Sequence, residues 1–179
     1  MSMARRVIVG ACDSPGSLRA LRYARELADR NDAVLILVHA WTPPGGEMAD
    51  RRSPSPILRK VWNQAAWQRL WACVDAAWGG FPAEVEVQPV VTRGIPGEVL
   101  VEIANRDDDL LVLGAGRRGP LARIGHHGGV ARYCLAHAQC PVVAVPPSEL
   151  VHSARHGLLG YTFRHHGLDA VKALDDADN

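Results

Sequence analysis

The chain has 179 residues, 47% hydrophobic and 22% charged, with Lys+Arg 20 against Asp+Glu 19 and a formal net charge of +1. That length suits one domain with a modest extension and can bury a real core, while the balanced charge gives no bulk field for DNA or RNA phosphates and excludes nucleic acid as a general partner. No apolar run approaches the roughly 20 residues that cross a bilayer, so no membrane contact is expected, and the N-terminus runs into a strand rather than a secretory leader. Cys12, Cys73, Cys134 and Cys140 lack CxxC spacing. They read as reduced thiols of a cytoplasmic domain, with no disulfide frame and no metal site.

Arg6 to Ala11 is a β-branched run ending near Gly10 and predicts a strand. Ser14-Pro15-Gly16-Ser17 offers a cap and turn, and from Leu18 the apolar positions Leu21, Ala24, Leu27 and Ala28 recur at helical spacing. Ala33 to Trp41 is nearly all apolar, as in a strand covered on both faces. Thr42 to Pro56, rich in Pro, Gly and Ser, predicts a mobile loop, followed by a long helix from Ile57 to Trp78. Glu84 to Val91 alternates like a strand, and Pro89 puts it at an edge or bulge. Pro96 suits the first turn of a third helix. Asp109 to Leu113 predicts a buried strand, Gly129 to Ala138 a helix and Pro141 to Val145 a last strand. Strands alternating with helices predict an α/β fold with a parallel sheet and right-handed crossovers. Residues 1–147 form that domain. Residues 148–179, with four of the eight His and the acidic end DDADN, read as a partly flexible extension.

In open parallel sheets ligands bind beyond the carboxyl ends of the strands, at the topological switch point. Two stretches fall at such ends. One is Gly10-Ala11-Cys12-Asp13-Ser14. The other is Gly114-Ala115-Gly116-Arg117-Arg118-Gly119, followed by Gly125 to Val130 before a helix. Glycines let main-chain N–H groups approach an anion, the helix start adds its dipole, and Arg117, Arg118 and Arg123 can neutralise phosphate. The alternative is plain turn glycines with solvated arginines. There is no Walker A sequence and no GxGxxG after the first strand.

Val7-Ile8-Val9-Gly10, Ser14-Pro15-Gly16-Ser17-Leu18-Arg19-Ala20-Leu21, Leu37-Val38-His39-Ala40-Trp41, Leu110-Leu111-Val112-Leu113-Gly114 and, most distinctive, His137-Ala138-Gln139-Cys140-Pro141-Val142-Val143-Ala144-Val145 follow one another in order. Together these segments resemble the universal stress protein family. The resemblance covers residues 5–147. It implies an open five-stranded parallel sheet of order 3-2-1-4-5 with helices on both faces, Rossmann-like and of the adenine nucleotide alpha hydrolase-like kind. It also implies a homodimer through the last strand, Val142, Val143, Ala144 and Val145. In one branch it implies ATP or AMP, with Mg if ATP, on a G-x2-G-x9-G-[ST] loop. Carried onto this chain, the nucleotide site would comprise Ala11, Cys12, Asp13, Ala40, Gly114, Gly116, Arg117, Arg118, Gly119, Gly128, Gly129 and Val130.

This chain departs from that pattern in two places. Nucleotide-binding members carry Asp two residues after the strand-one glycine, where Cys12 stands here with Asp13 one step along. Counting back from His137 puts Gly128 at the last loop glycine and Gly129 at the hydroxyl position, with eight residues after Gly119. Counting to Gly129 restores nine and leaves Val130 there. The hydroxyl is missing either way. Losing one neutral hydrogen bond costs on the order of 1 kcal/mol, about fivefold in affinity.

Trp62, Trp67, Trp71 and Trp78 share one predicted helix, three of them on one stripe, and read as a core or dimer face rather than a base-stacking platform. Cys12 reads as a small buried hydrophobe, with a redox-sensitive thiol as the alternative. Asp107-Asp108-Asp109 reads as a solvated loop, and His126-His127 as loop residues that could contact phosphate. No Ser/His/Asp set, carboxylate pair or metal triad has supporting context, so no catalytic residue is assigned. Two readings follow. One is a dimeric stress-response regulator binding ATP or AMP, with an unknown protein partner. The other is a non-nucleotide interaction module with a degraded phosphate loop. Slow ATP hydrolysis, with Asp13 or a histidine as base, ranks last.

Overall fold

Ser14 lies in extended backbone and its side chain accepts the Ser17 N–H, so the first helix starts at Pro15, in the position where a missing N–H is harmless. The same device, Ser55 before Pro56, opens the long helix. In a computed structural model, which describes residues 4–115 and 129–146, the elements run β1 (Arg6–Gly10), α1 (Pro15–Asn31), β2 (Val34–Trp41), α2 (Gly46–Arg52), α3 (Pro56–Trp78), β3 (Val87–Arg93), α4 (Pro96–Ile103), β4 (Asp109–Gly114), α5 (Gly129–His137) and β5 (Val142–Val145). The extension after residue 146 lies outside the described residues.

The five strands form one sheet of order β3-β2-β1-β4-β5 with every pairing parallel. Ile8 sits opposite Ile36 on one side and Leu111 on the other, in the central strands. Alternate side chains feed two cores. Val7, Val9, Leu35, Leu37 and Val112 pack under α1 and α3, and Ile8, Ile36, Val38, Leu111 and Leu113 pack under α4 and α5. The central strands are buried on both faces because crossover helices cover both. Pro89 is tolerated because β3 is an edge strand.

Three expectations are corrected. Residues 42–56 hold a helix, α2, which forms despite the Pro-Gly-Ser composition because ion pairs described below fasten it to β3 and α3. The apolar stripe of α3 that enters the core is Ala66, Leu70, Cys73, Val74 and Ala77. Trp67 and Trp78 only flank it, and Trp71 is exposed, stacked on Trp67 and edge-on to Phe81. Asp109 is buried, its carboxylate gripping Arg6 Nε at 2.7 Å and Nη2 at 2.6 Å.

Candidate functional site

The sheet order places the switch point between β1 and β4, whose connections leave toward opposite sides. There the chain leaves β1 through a turn tied by one buried serine. Ser17 Oγ donates to the Gly10 carbonyl at 3.0 Å and accepts from the Cys12 N–H at 2.9 Å. Ser14 Oγ accepts the Ser17 N–H at 3.2 Å and lies 3.3 Å from Cys12 Sγ. These bonds aim the start of α1, with its partial positive charge, along the carboxyl edge.

A second buried group holds the same turn from β2. His39 Nδ1 lies 2.8 Å from the Ala11 carbonyl. A carbonyl only accepts, so Nδ1 carries the hydrogen. The Ala11 N–H in turn donates to the Val38 carbonyl at 2.8 Å. Neither Ser17 nor His39 stood out in the sequence. Ser17 read as one more turn residue and His39 as a strand position, since their partners lie on other elements.

Gly114 ends β4 beside this turn. A Cβ there would meet the Gly16 carbonyl carbon at 2.8 Å and its oxygen at 2.9 Å. The absence of a side chain is what lets β4 and the start of α1 touch. Gly97 does the same for α4 against α5, where a Cβ would come within 2.9 Å of the Tyr133 ring. Ala115 N–H donates to the Val145 carbonyl at 2.8 Å, which ties the exit of β4 to β5.

Of the residues assigned to a nucleotide site, the structure brings Ala11, Cys12, Asp13, Ala40 and Gly114 to one edge of the sheet. Ala11 is buried, Cys12 and Asp13 are exposed, and Ala40 and Val130 pack half-buried on the α4/α5 core. Gly129 and Val130 start α5 and carry no hydroxyl. Gly116, Arg117, Arg118, Gly119 and Gly128, with Arg123, His126 and His127, lie outside the described residues. Cys12 is a correction: it is exposed rather than a buried hydrophobe, while Cys73, Cys134 and Cys140 are buried. Burial pushes the Cys73 and Cys134 thiols up to about 11.

Beside the edge, α2 is held by charge. Arg93, ending β3, binds Glu47 and places Nη2 2.7 Å from Asp50, while Arg59 of α3 meets Asp50 at 2.8 Å. The Asp50 side chain is 1% exposed. Arg59 hydrogen-bonded to Asp50, and Arg93 to Glu47, hold both carboxyls below their usual range. Trp41 meets Trp62 edge-on at 6.5 Å beneath this connection.

A cavity of about 490 Å³ opens at the opposite, amino edge, lined by Arg5, Arg6, Asp32, Val34, Gln88 and Arg106. Its most buried cation, Arg6, is already paired with Asp109, so the cavity offers no preorganised anion site. Among the described residues no group of three His, Cys, Asp or Glu could hold a metal ion. None of their helices is long and apolar enough to cross a membrane.

Fold and edge together define an open α/β protein of the doubly wound class with its topological switch point between β1 and β4. Comparison with known proteins narrows the class. The universal stress protein family matches residues 3–146, and the chain belongs to that family. Universal stress protein Rv2623 of Mycobacterium tuberculosis is 31% identical over 154 residues, 81% of this chain and 48% of that protein. Universal stress protein Mb2019 of Mycobacterium bovis is 28% identical over 144 residues, 76% of this chain and 42% of that protein. The chain thus spans under half the length of these curated relatives. A universal stress protein crystallised in complex with cAMP is 30% identical, with TM-score 0.50, covering 82% of this chain and 100% of that one. UspA from Lactobacillus plantarum shares the fold at 20% identity, with TM-score 0.55 and coverage of 81% and 99%.

Proposed function

We propose that this chain binds an adenine nucleotide, AMP or ATP, at the carboxyl edge between β1 and β4, and acts as a stress-response regulator. The observation that carries the reading is the preorganised turn Gly10–Ser17, locked by Ser17 and His39 and set against the side-chain-free Gly114. A relative crystallised with cAMP supports the adenine. Ala40 and Val130 offer the apolar walls that a base needs, and the start of α5 offers main-chain donors to phosphate. Magnesium would arrive with ATP, on its phosphates. Arg117 and Arg118 supply charge to the same loop.

The test is calorimetric titration with AMP and ATP, with and without magnesium, together with analysis of nucleotide released on denaturation. Micromolar binding that is abolished in Arg117→Glu/Arg118→Glu is expected. No heat and no released nucleotide would reject the reading. That result would favour an interaction module on the same fold, a reading supported by Cys12 in place of the family Asp and by the missing hydroxyl at Gly129 and Val130.

The assembly we propose is a homodimer through β5, which is an edge strand of four apolar residues with Ala144 exposed. An open apolar edge invites pairing with a second copy. The Pro141 and Val145 carbonyls accept from β4, so in this alternation Val143 also faces β4 and the Ala144 N–H faces the open edge. Ala144→Pro removes that outward donor and is expected to give a monomer by light scattering. A dimer that persists in that variant rejects pairing through β5.

A further inference from the structure

We propose that the corner formed by α2 and the start of α3 docks on an anionic lipid surface. Residues 42–65 contain only two carboxylates, Glu47 and Asp50. Arg93 and Arg59 bind both of them, so the ion pairs that fasten α2 also remove every acid from its outer face. Arg51, Arg52 and Lys60 remain exposed, with no ion pair among the described residues. Between them stand Met48 at 61% exposure, Ile57 at 77% and Val61 at 53%. Ile57, Lys60 and Val61 share one face at i, i+3 and i+4, as do Met48, Arg51 and Arg52 on α2.

Charge and shape select the occupant. Three cations without an anion call for an acidic partner. Single-stranded nucleic acid would want exposed aromatic platforms between the cations, and a duplex would meet the cations with phosphate while leaving Met48, Ile57 and Val61 without an apolar partner. A bilayer takes separate protruding aliphatic side chains among basic ones, since acyl chains conform around each and anionic headgroups meet the cations. That no helix among the described residues is long and apolar enough to cross a membrane leaves such peripheral contact open. The inference does not depend on nucleotide binding.

The test is flotation of the full chain with vesicles of phosphatidylcholine alone, or of equal parts phosphatidylcholine and phosphatidylglycerol. The wild type is expected to float with the anionic vesicles only. Arg51→Glu/Arg52→Glu lowers partitioning by about 30-fold or more, from about 1 kcal/mol per basic residue. Ile57→Asp/Val61→Asp lowers it comparably, and the exposed Arg69→Glu, further along α3, leaves it unchanged. All these positions are exposed, and unchanged far-ultraviolet circular dichroism verifies folding. Absence of wild-type binding, equal binding to neutral vesicles, or equal loss in Arg69→Glu overturns the proposal. So does a dimer lost in Ile57→Asp/Val61→Asp without lipid binding, which would give the face to a second copy.

Discussion

The two ends of the sheet handle charge in opposite ways. At the amino end Arg6 and Asp109 open neighbouring strands and close on each other. Asp109 also accepts the Arg106 N–H at 2.9 Å, and Arg6 reaches the Ile103 carbonyl at 3.1 Å. Both carboxylate oxygens of Asp109 are satisfied from within. At the carboxyl end of β1 the polar groups hold the backbone of the turn, through Ser17 and His39, and leave Cys12 and Asp13 facing outward, while the paired charges at the end of β3 serve α2. One end is fastened and the other is prepared. Parallel sheets favour this division because their helix starts converge on the carboxyl end alone.

The largest test of the contrast is Arg6→Ala. It strands the Asp109 carboxylate, whose side chain is 0% exposed. A loss of about 3 kcal/mol or more is expected, read as a fall in melting temperature of about 10 °C, with AMP affinity of the folded protein unchanged. A matching fall in affinity would erase the distinction between the ends.

Gly114→Ala comes next and acts at the other end. Its Cβ would press on the Gly16 backbone, which cannot rotate away, so a cost of about 1–3 kcal/mol is expected. Here AMP affinity should fall as well, because the start of α1 is displaced. Calorimetry showing lost stability with intact affinity would separate Gly114 from the site.

Cys12→Asp introduces the carboxylate that the family resemblance implies at this position and is expected to tighten AMP by about fivefold, with little change in stability. The exposure of Cys12 has its own readout. Under native conditions one thiol of four should react promptly with a maleimide, since Cys73, Cys134 and Cys140 are buried and burial raises each of their pKa values. Fast labelling of a second cysteine in the mass spectrum would contradict that burial.

The smallest effect concerns the latch on α2. Glu47 and Asp50 are held below their ordinary carboxylate pKa by arginine. Their contribution is therefore complete above the unfolded carboxylate range, about pH 4, and is lost as pH falls through the lowered folded values. Amide exchange within α2 should accelerate at that acid end before the sheet responds, and Arg93→Ala should show the same acceleration at neutral pH. Exchange in α2 that tracks the sheet at every pH would mean the latch is not a separate unit.

Apart from α2, the element order was legible in the sequence because it depends on local pattern, carried by apolar runs and the Ser14-Pro15 cap without reference to distant residues. The strand order, and with it the switch point, came from the resemblance to the universal stress protein family carried by segments such as Val7-Ile8-Val9-Gly10 and His137 to Val145. The misreadings share one cause. Asp109 looked solvated beside two other aspartates, and only the pairing of β1 with β4 brings Arg6 to it. Residues 42–56 looked like loop because turn-rich composition is a local signal, whereas Arg93 and Arg59, which stabilise α2, lie on other elements. Cys12 looked like core because the strand before it is buried, yet the turn tied by Ser17 carries it outward. The sequence by itself determined the parallel α/β frame and which loops end at its carboxyl edge, since periodicity, capping and β-branching act within a few residues. Only the tertiary structure decided which charges pair, which thiol is exposed and which glycine must lack a side chain, because those outcomes depend on distances between segments far apart in the chain.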